Sequence, residues 1–118
     1  MSRHSDLIRL RHMLDHACEA VALVQGKTRG DLASTRLLQL GLVRLVEIIG
    51  EAAARVSKDM QAKHTSIPWE DVVGMRNKLI HGYDQVDLGI LWDTVTDDLP
   101  RLIQELEAAV ATEPENRS

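Results

Sequence analysis

Apolar residues recur every three or four positions along most of the chain, the period of one face of an α-helix. The first such run, Leu7, Leu10, Leu14, Ala17, Val21 and Val24, starts just after Ser5, a possible N-cap, and Gly26 ends it. Asp31 is the next capping candidate, and Leu38, Leu42, Leu45, Ile49, Ala52 and Val56 carry a second stripe to about Val56. Leu37, Leu40, Val43 and Ile48 lie off that stripe, so the middle of this helix is apolar nearly all round and needs cover on two sides. Two arrangements supply the cover. One is a homodimer seam, with Gly41 and Gly50 allowing close backbone approach; the other is burial of a central bundle helix by its own neighbours.

The stretch from Ser57 to Ile67 has no periodicity and reads as a loop. Pro68 suits the first position of a third helix that runs to about His81, with Gly82 as its stop. Asp84 and Asp87 are candidate caps for a fourth helix, whose stripe of Leu88, Leu91, Trp92, Val95, Leu99, Leu102, Ile103, Leu106 and Val110 reaches nearly to the end. Pro100 lies inside that pattern and is expected to kink it. Residues 1–111 form one domain in this reading, and 112–118 a polar, frayed tail.

Composition sharpens this into a fold class. A chain of 118 residues has room for one core, and with 3% aromatic residues and no Phe that core is built from Leu, Ile, Val, Ala and Met. Such side chains suit helix-on-helix packing, so the expectation is an all-α antiparallel bundle of four to five helices. The single cysteine, Cys18, excludes an internal disulfide, and no N-terminal run has the apolar length of a signal peptide or membrane helix, so the chain is read as cytoplasmic with no membrane partner. A formal net charge of -4 argues against a broad electrostatic grip on nucleic acid; any contact with RNA is local.

Chemistry concentrates between Arg76 and Tyr83. At about 100° per residue, Met75, Leu79, Val72, Ile80 and Val73 gather into one arc of the third helix with Arg76 near its middle, so the arginine points toward the core. A guanidinium there needs a carboxylate partner such as Glu47 or Glu51, or lines a cleft where an anion arrives. His81 lies five residues on, about 140° round and roughly 7.5 Å along, so an ideal helix does not present both side chains to one atom. They converge only if the helix ends at His81 or a second chain contributes. Asn77 shares the face of His81 and is a candidate to orient its imidazole, although His81 beside Gly82 also fits a purely structural place at a helix end. Spacing alone decides little: Arg11 and His16 repeat it mid-helix, where a solvated face is expected. His12 and His16 have the spacing of a metal pair, but no further ligand is evident, and no metal or cofactor is expected.

The segments Val46-Glu47-Ile48-Ile49-Gly50-Glu51-Ala52-Ala53, Ile67-Pro68-Trp69, Gly74 through Tyr83, and Asp98-Leu99-Pro100 together resemble the HepT-like family, within the HEPN superfamily of helical ribonucleases. The resemblance spans nearly the whole chain. It implies a HEPN-type bundle that forms a homodimer and acts as the toxin of a prokaryotic toxin–antitoxin pair, cleaving RNA without metal. The family's Arg-x-x-x-x-His motif maps onto Arg76 and His81, and two copies meet across the dimer. Its motif tyrosine maps onto Tyr83, the acceptor of AMP from a minimal nucleotidyltransferase antitoxin. The histidine suits removal of the 2′-hydroxyl proton and the arginine suits stabilisation of phosphoryl charge, with Asn77 and Lys78 as supporting residues. Two competing readings remain at this stage. One is a non-catalytic helical module that holds a nucleotidyltransferase or nucleotide, which the acidic net charge favours; the other is a plain structural dimer, which leaves Arg76 unexplained.

Overall fold

Steps of three and four residues bury Leu7, Leu10, Met13, Ala17 and Ala20 along one face of α1 (Arg3–Leu23), and Val24 in the turn beyond it. The computed structural model describes residues 3–81 and 85–114. Gly26 sits at φ 73°, the left-handed region that glycine enters without a Cβ clash, and ends the turn after α1 as expected.

The predicted second helix is two. Thr28, not Asp31, caps α2 (Arg29–Ser34): its side chain accepts from the Asp31 amide, and Asp31 at the third position returns a bond to the Thr28 amide. Extended backbone at Thr35 then separates α2 from α3 (Arg36–Arg55); Gln39 donates to the Leu32 carbonyl, which also accepts from the Thr35 amide, and to the Ala33 carbonyl. Along α3, Leu38, Leu42, Leu45, Val46, Ile49 and Ala53 are buried, with α1 against one side and the later short helices against another. Gly50 does permit a close approach, but within the same chain: a Cβ there would lie 3.2 Å from the Val72 carbonyl oxygen and 3.3 Å from that of Val73. A Cβ at Gly41 meets nothing within 4 Å.

The expected loop from Ser57 to Ile67 contains a helix, α4 (Lys58–Lys63). Ser57 caps it by accepting from the Met60 amide, and buried Asp6 of α1 accepts from both the amide and the hydroxyl of Ser57, at 2.8 and 2.7 Å. At its other end the Trp69 indole N–H donates to the Gln61 and His64 carbonyls. The predicted third helix is likewise divided. α5 (Trp69–Val73) and α6 (Met75–Leu79) meet at Gly74, and Pro68 caps α5 from just outside. The helical stretch ends at Leu79, two residues before the expected limit; Ile80 pairs antiparallel with Val86, and Gly82 lies outside the described residues.

Asp87 caps α7 (Leu88–Asp93) through the Ile90 amide, as one of the two expected candidates; Asp84, the other, lies outside the described residues. A π-helical turn (Thr94–Asp98) joins α7 to α8 (Leu99–Thr112). Pro100 cannot donate to the carbonyl four residues back and its ring would crowd it; the wider turn, in which the Leu99 amide bonds to the Thr94 carbonyl, absorbs that misfit. Arg29 and Asp93 form an ion pair that ties the start of α2 to the end of α7. No helix among the described residues is long and apolar enough to cross a membrane.

Glu113, near the start of the expected polar tail, is held in place. Just past α8, the buried Glu113 carboxylate lies 2.7 Å from Lys63 Nζ and 2.8 Å from His64 Nε2, pinning α8 to the end of α4. Burial pushes the Glu113 carboxyl up, but the hydrogen bonds from Lys63 and His64 outweigh it and hold the group below its ordinary value of 4.5. A carboxyl lowered on folding contributes stability that is present above the unfolded value and lost as pH falls through the folded one. Glu113→Gln is therefore expected to cost roughly 1–2 kcal/mol near neutral pH and much less near pH 3. Urea titrations of both proteins at the two pH values check this, and an equal deficit at both would refute it.

Candidate active site

The early end of α6 decides where the motif side chains go. Because the chain leaves the helix at Leu79 and turns extended at Ile80, His81 is not held at the angle an ideal helix imposes. Arg76 and His81 line one groove of about 580 Å³, whose far wall is the first half of α3 with Arg36, Leu40, Arg44 and Glu47. Both side chains of a single chain thus face the same groove.

Arg76 does not point into the core. The buried arc is narrower than the apolar one: Val72, Met75 and Leu79 are buried, while Val73 is exposed and the Arg76 side chain, at the edge of the arc, keeps 48% of its surface in solvent. A guanidinium so placed avoids the several kcal/mol that burial of an ion costs. Its Nε lies 2.7 Å from Glu47 Oε2, one of the two carboxylates the sequence offered. Glu47 also accepts from Arg44 at 2.7 Å, and Arg44 approaches Glu51 at 3.7 Å. The Arg44 hydrogen bond first, with Arg76 adding to it, outweighs burial and lowers the Glu47 carboxyl, so this carboxylate stays charged at neutral pH. An ion pair this exposed is worth about 0–1 kcal/mol to the fold; its consequence is positional.

His81 is 60% exposed, and its Nε2 lies 3.2 Å from Asp87 Oδ2. Sequence reasoning gave Asp87 a cap and nothing more. Asn77, the expected partner of the imidazole, makes no side-chain hydrogen bond to His81 and is exposed on α6. Lys78 faces elsewhere, 3.7 Å from Asp71, in a separate hollow that includes Asp98 and Arg101. Tyr83 lies outside the described residues. The control pair behaves differently from the motif: His16 Nδ1 lies 2.6 Å from the His12 carbonyl oxygen on α1, and its ring meets that of His12 edge to face. Among the described residues no three His, Cys, Asp or Glu side chains gather as a metal site would require.

The local charge of the groove opposes that of the whole chain. Among the described residues three arginines, Arg36, Arg44 and Arg76, line it with one acid, Glu47, although the chain carries a formal -4. The arginines on α3 were the residues the sequence reading missed. Their signal was present, since Arg36, Leu40, Arg44 and Glu47 follow one another at steps of three and four.

A profile of the ribonuclease HepT-like family matches residues 10–109. The chain belongs to that family. The HepT-like match thus spans the buried faces of α1, α3 and α8 as well as the groove. Among its relatives, a protein of Caldanaerobacter subterraneus subsp. tengcongensis named "Putative RNase" is 34% identical over 104 residues, covering 88% of this chain and 93% of that one. A "Probable ribonuclease HepT" of Thermococcus cleftensis is 38% identical over 98 residues, or 80% of this chain and 89% of its own length. A Methanocaldococcus jannaschii protein, also named "Putative RNase", is 30% identical over 107 residues, 91% of this chain and 98% of its own. No solved structure matches the chain.

Proposed function

We propose that this protein is a metal-independent endoribonuclease, the toxin of a toxin–antitoxin pair in the cytoplasm, with Arg76 and His81 as its catalytic residues. The observation that carries the reading is the shared groove: an exposed guanidinium and an exposed imidazole line one solvent-open, arginine-rich cleft in a chain of the HepT-like family. RNA brings its own nucleophile. The imidazole of His81 takes the 2′-hydroxyl proton, the 2′-oxygen attacks the adjacent phosphorus, and Arg76 stabilises the charge that builds on the phosphoryl oxygens. A second histidine protonates the departing 5′-oxygen, and a homodimer supplies it from the other copy. Leu40, half exposed on the groove wall, and Leu37, 82% exposed one turn earlier, support a seam beside the groove. The positive lining also answers the objection from net charge, because phosphate contact requires cations where the strand lies and not over the whole surface.

Control is proposed at Tyr83, two residues past His81, by a cognate minimal nucleotidyltransferase that transfers AMP from ATP to the tyrosine hydroxyl. Each AMP adds about one negative charge and a nucleoside beside the catalytic pair, which competes with an RNA phosphate for Arg76. Asn77 and Lys78 keep only a supporting part in this proposal, as contacts to flanking phosphate.

His81→Ala is expected to abolish RNA cleavage and cellular toxicity while leaving helical circular dichroism unchanged, because the ring packs against nothing in the core. Retained cleavage by the purified variant would remove His81 from the mechanism. Binding of RNA without cleavage by the wild type would support the non-catalytic module instead. Sedimentation at micromolar concentration should give a dimer; a stable monomer that still cleaves RNA would refute the shared site. Incubation with the nucleotidyltransferase and ATP should add AMP to the wild type and suppress cleavage, with no addition to Tyr83→Phe by mass spectrometry. Equal modification of both proteins would transfer the acceptor role to another residue.

A further inference from the structure

We propose that Asp87 is a positioning residue for His81: its carboxylate holds the imidazole through Nε2 and thereby assigns proton transfer to Nδ1. The inference rests on the ribonuclease reading for its catalytic consequence, but the pairing itself stands on geometry. Three backbone contacts bring the two residues together. The Asp87 amide donates to the Leu79 carbonyl at 2.7 Å, the His81 amide donates to the Gln85 carbonyl at 2.7 Å, and Ile80 pairs with Val86 between them. Alternation along this short ladder sets 81 and 87 on one side as diagonal neighbours, within reach of two side chains of this length.

The carboxylate is itself fixed. Oδ1 accepts from the Ile90 amide at 2.9 Å as the cap of α7, and Oδ2 lies 3.2 Å from His81 Nε2. One group therefore ties the imidazole to the start of a helix whose Leu91 is fully buried. The Ile90 amide first, with the His81 charge adding to it, outweighs desolvation and holds the Asp87 carboxyl below its ordinary range. An ionised carboxylate only accepts, so the ring nitrogen facing it carries the hydrogen. Nδ1 is then the nitrogen with the lone pair, and among the described residues nothing else bonds the ring. The remaining charged groups of the groove are otherwise arranged: Arg44 and Arg76 share Glu47, and Arg36 lines the wall of α3.

The proton count follows. In the base step the 2′-O–H bond breaks, Nδ1–H forms, the 2′-oxygen bonds to phosphorus and the 5′-oxygen leaves. In the acid step Nδ1–H of a charged imidazole in the second copy breaks and the proton passes to that 5′-oxygen. Nε2 keeps its hydrogen, directed at the Asp87 carboxylate, in both.

A cap alone would leave the ring indifferent to this carboxylate, and two variants separate the roles. Asp87→Asn keeps a good cap and nearly the same shape but offers an amide N–H to the ring; Asp87→Ser keeps a cap and removes the carboxylate. Nitrogen-15 NMR of the free protein reads the tautomer directly, with the His81 signals identified by their loss in His81→Gln. The neutral wild-type ring is expected to show Nε2 protonated and Nδ1 bare, and Asp87→Asn to raise the share of Nδ1–H. In RNA cleavage both variants should lower kcat at least about tenfold with KM changed less than about twofold, at unchanged helical content. A neutral wild-type ring protonated at Nδ1, or Asp87→Asn with wild-type tautomer and kcat, would overturn the proposal. Should the wild type cleave no RNA, the ribonuclease reading falls, and the NMR comparison still decides the Asp87–His81 pair.

Discussion

The apolar stripe of α3 has to be covered on two sides at once, and the rest of the architecture follows from how that is done. α1 covers one side along its whole length. The other is closed by two helices of five residues each, α5 and α6, which are too short to be stable except against a partner. Gly50 is what lets them in: the carbonyls of Val72 and Val73 approach α3 closely enough that a methyl group would press on both. That approach seats the end of α5 on α3, and α6, which carries Arg76, follows directly after Gly74. Of the off-stripe apolar positions on α3, Val43 and Ile48 are half-buried, while Leu37 and Leu40 stay outside this cover.

Much of the core was legible because periodicity survives small errors. Leu10, Ala17, Leu42, Ile49, Val95 and Leu106 fall on the expected stripes and are fully buried. Breaks were not legible, since they depend on partners distant in sequence. Thr35 is an ordinary residue for a helix surface, and the break at its extended backbone is bridged by Gln39 reaching back to the Leu32 and Ala33 carbonyls. α4 presents a single buried apolar residue, Met60, too little for any period to show, and its ends depend on distant groups: Asp6 holds the capping Ser57, and Trp69 donates to the carbonyls of its last turn. The orientation of Arg76 was misplaced because the wheel counted Val73 and Ile80 as core-facing, which widened the arc until Arg76 fell in its middle; Val73 is exposed and Ile80 only half-buried.

At the candidate site, residue types were readable and relationships were not. Arg76, His81 and a Glu47 partner were within reach of sequence reasoning. The contact between His81 and Asp87 was not, because it forms only where the chain doubles back between Leu79 and Asp87, and a predicted helix running to His81 conceals that reversal. The positive character of the groove was hidden in another way. Arg36 and Arg44 belong to a helix whose sequence reads as apolar, so they look like interruptions of a stripe until the fold turns that edge toward Arg76.

The small helix α4 borrows its order from both ends of the chain. Its first turn is held by Asp6, 51 residues away from Ser57, and its last by Glu113, 49 residues away from His64. Contacts of such separation close long loops and form only after the segments between them have collapsed. Order at both ends of α4 therefore waits on residues 6 and 113 being in place. Since Trp69 opens α5 and donates its indole N–H to the final turn of α4, the region carrying Arg76 inherits that dependence. A nascent chain would thus have its first long helices before the support of its groove was complete.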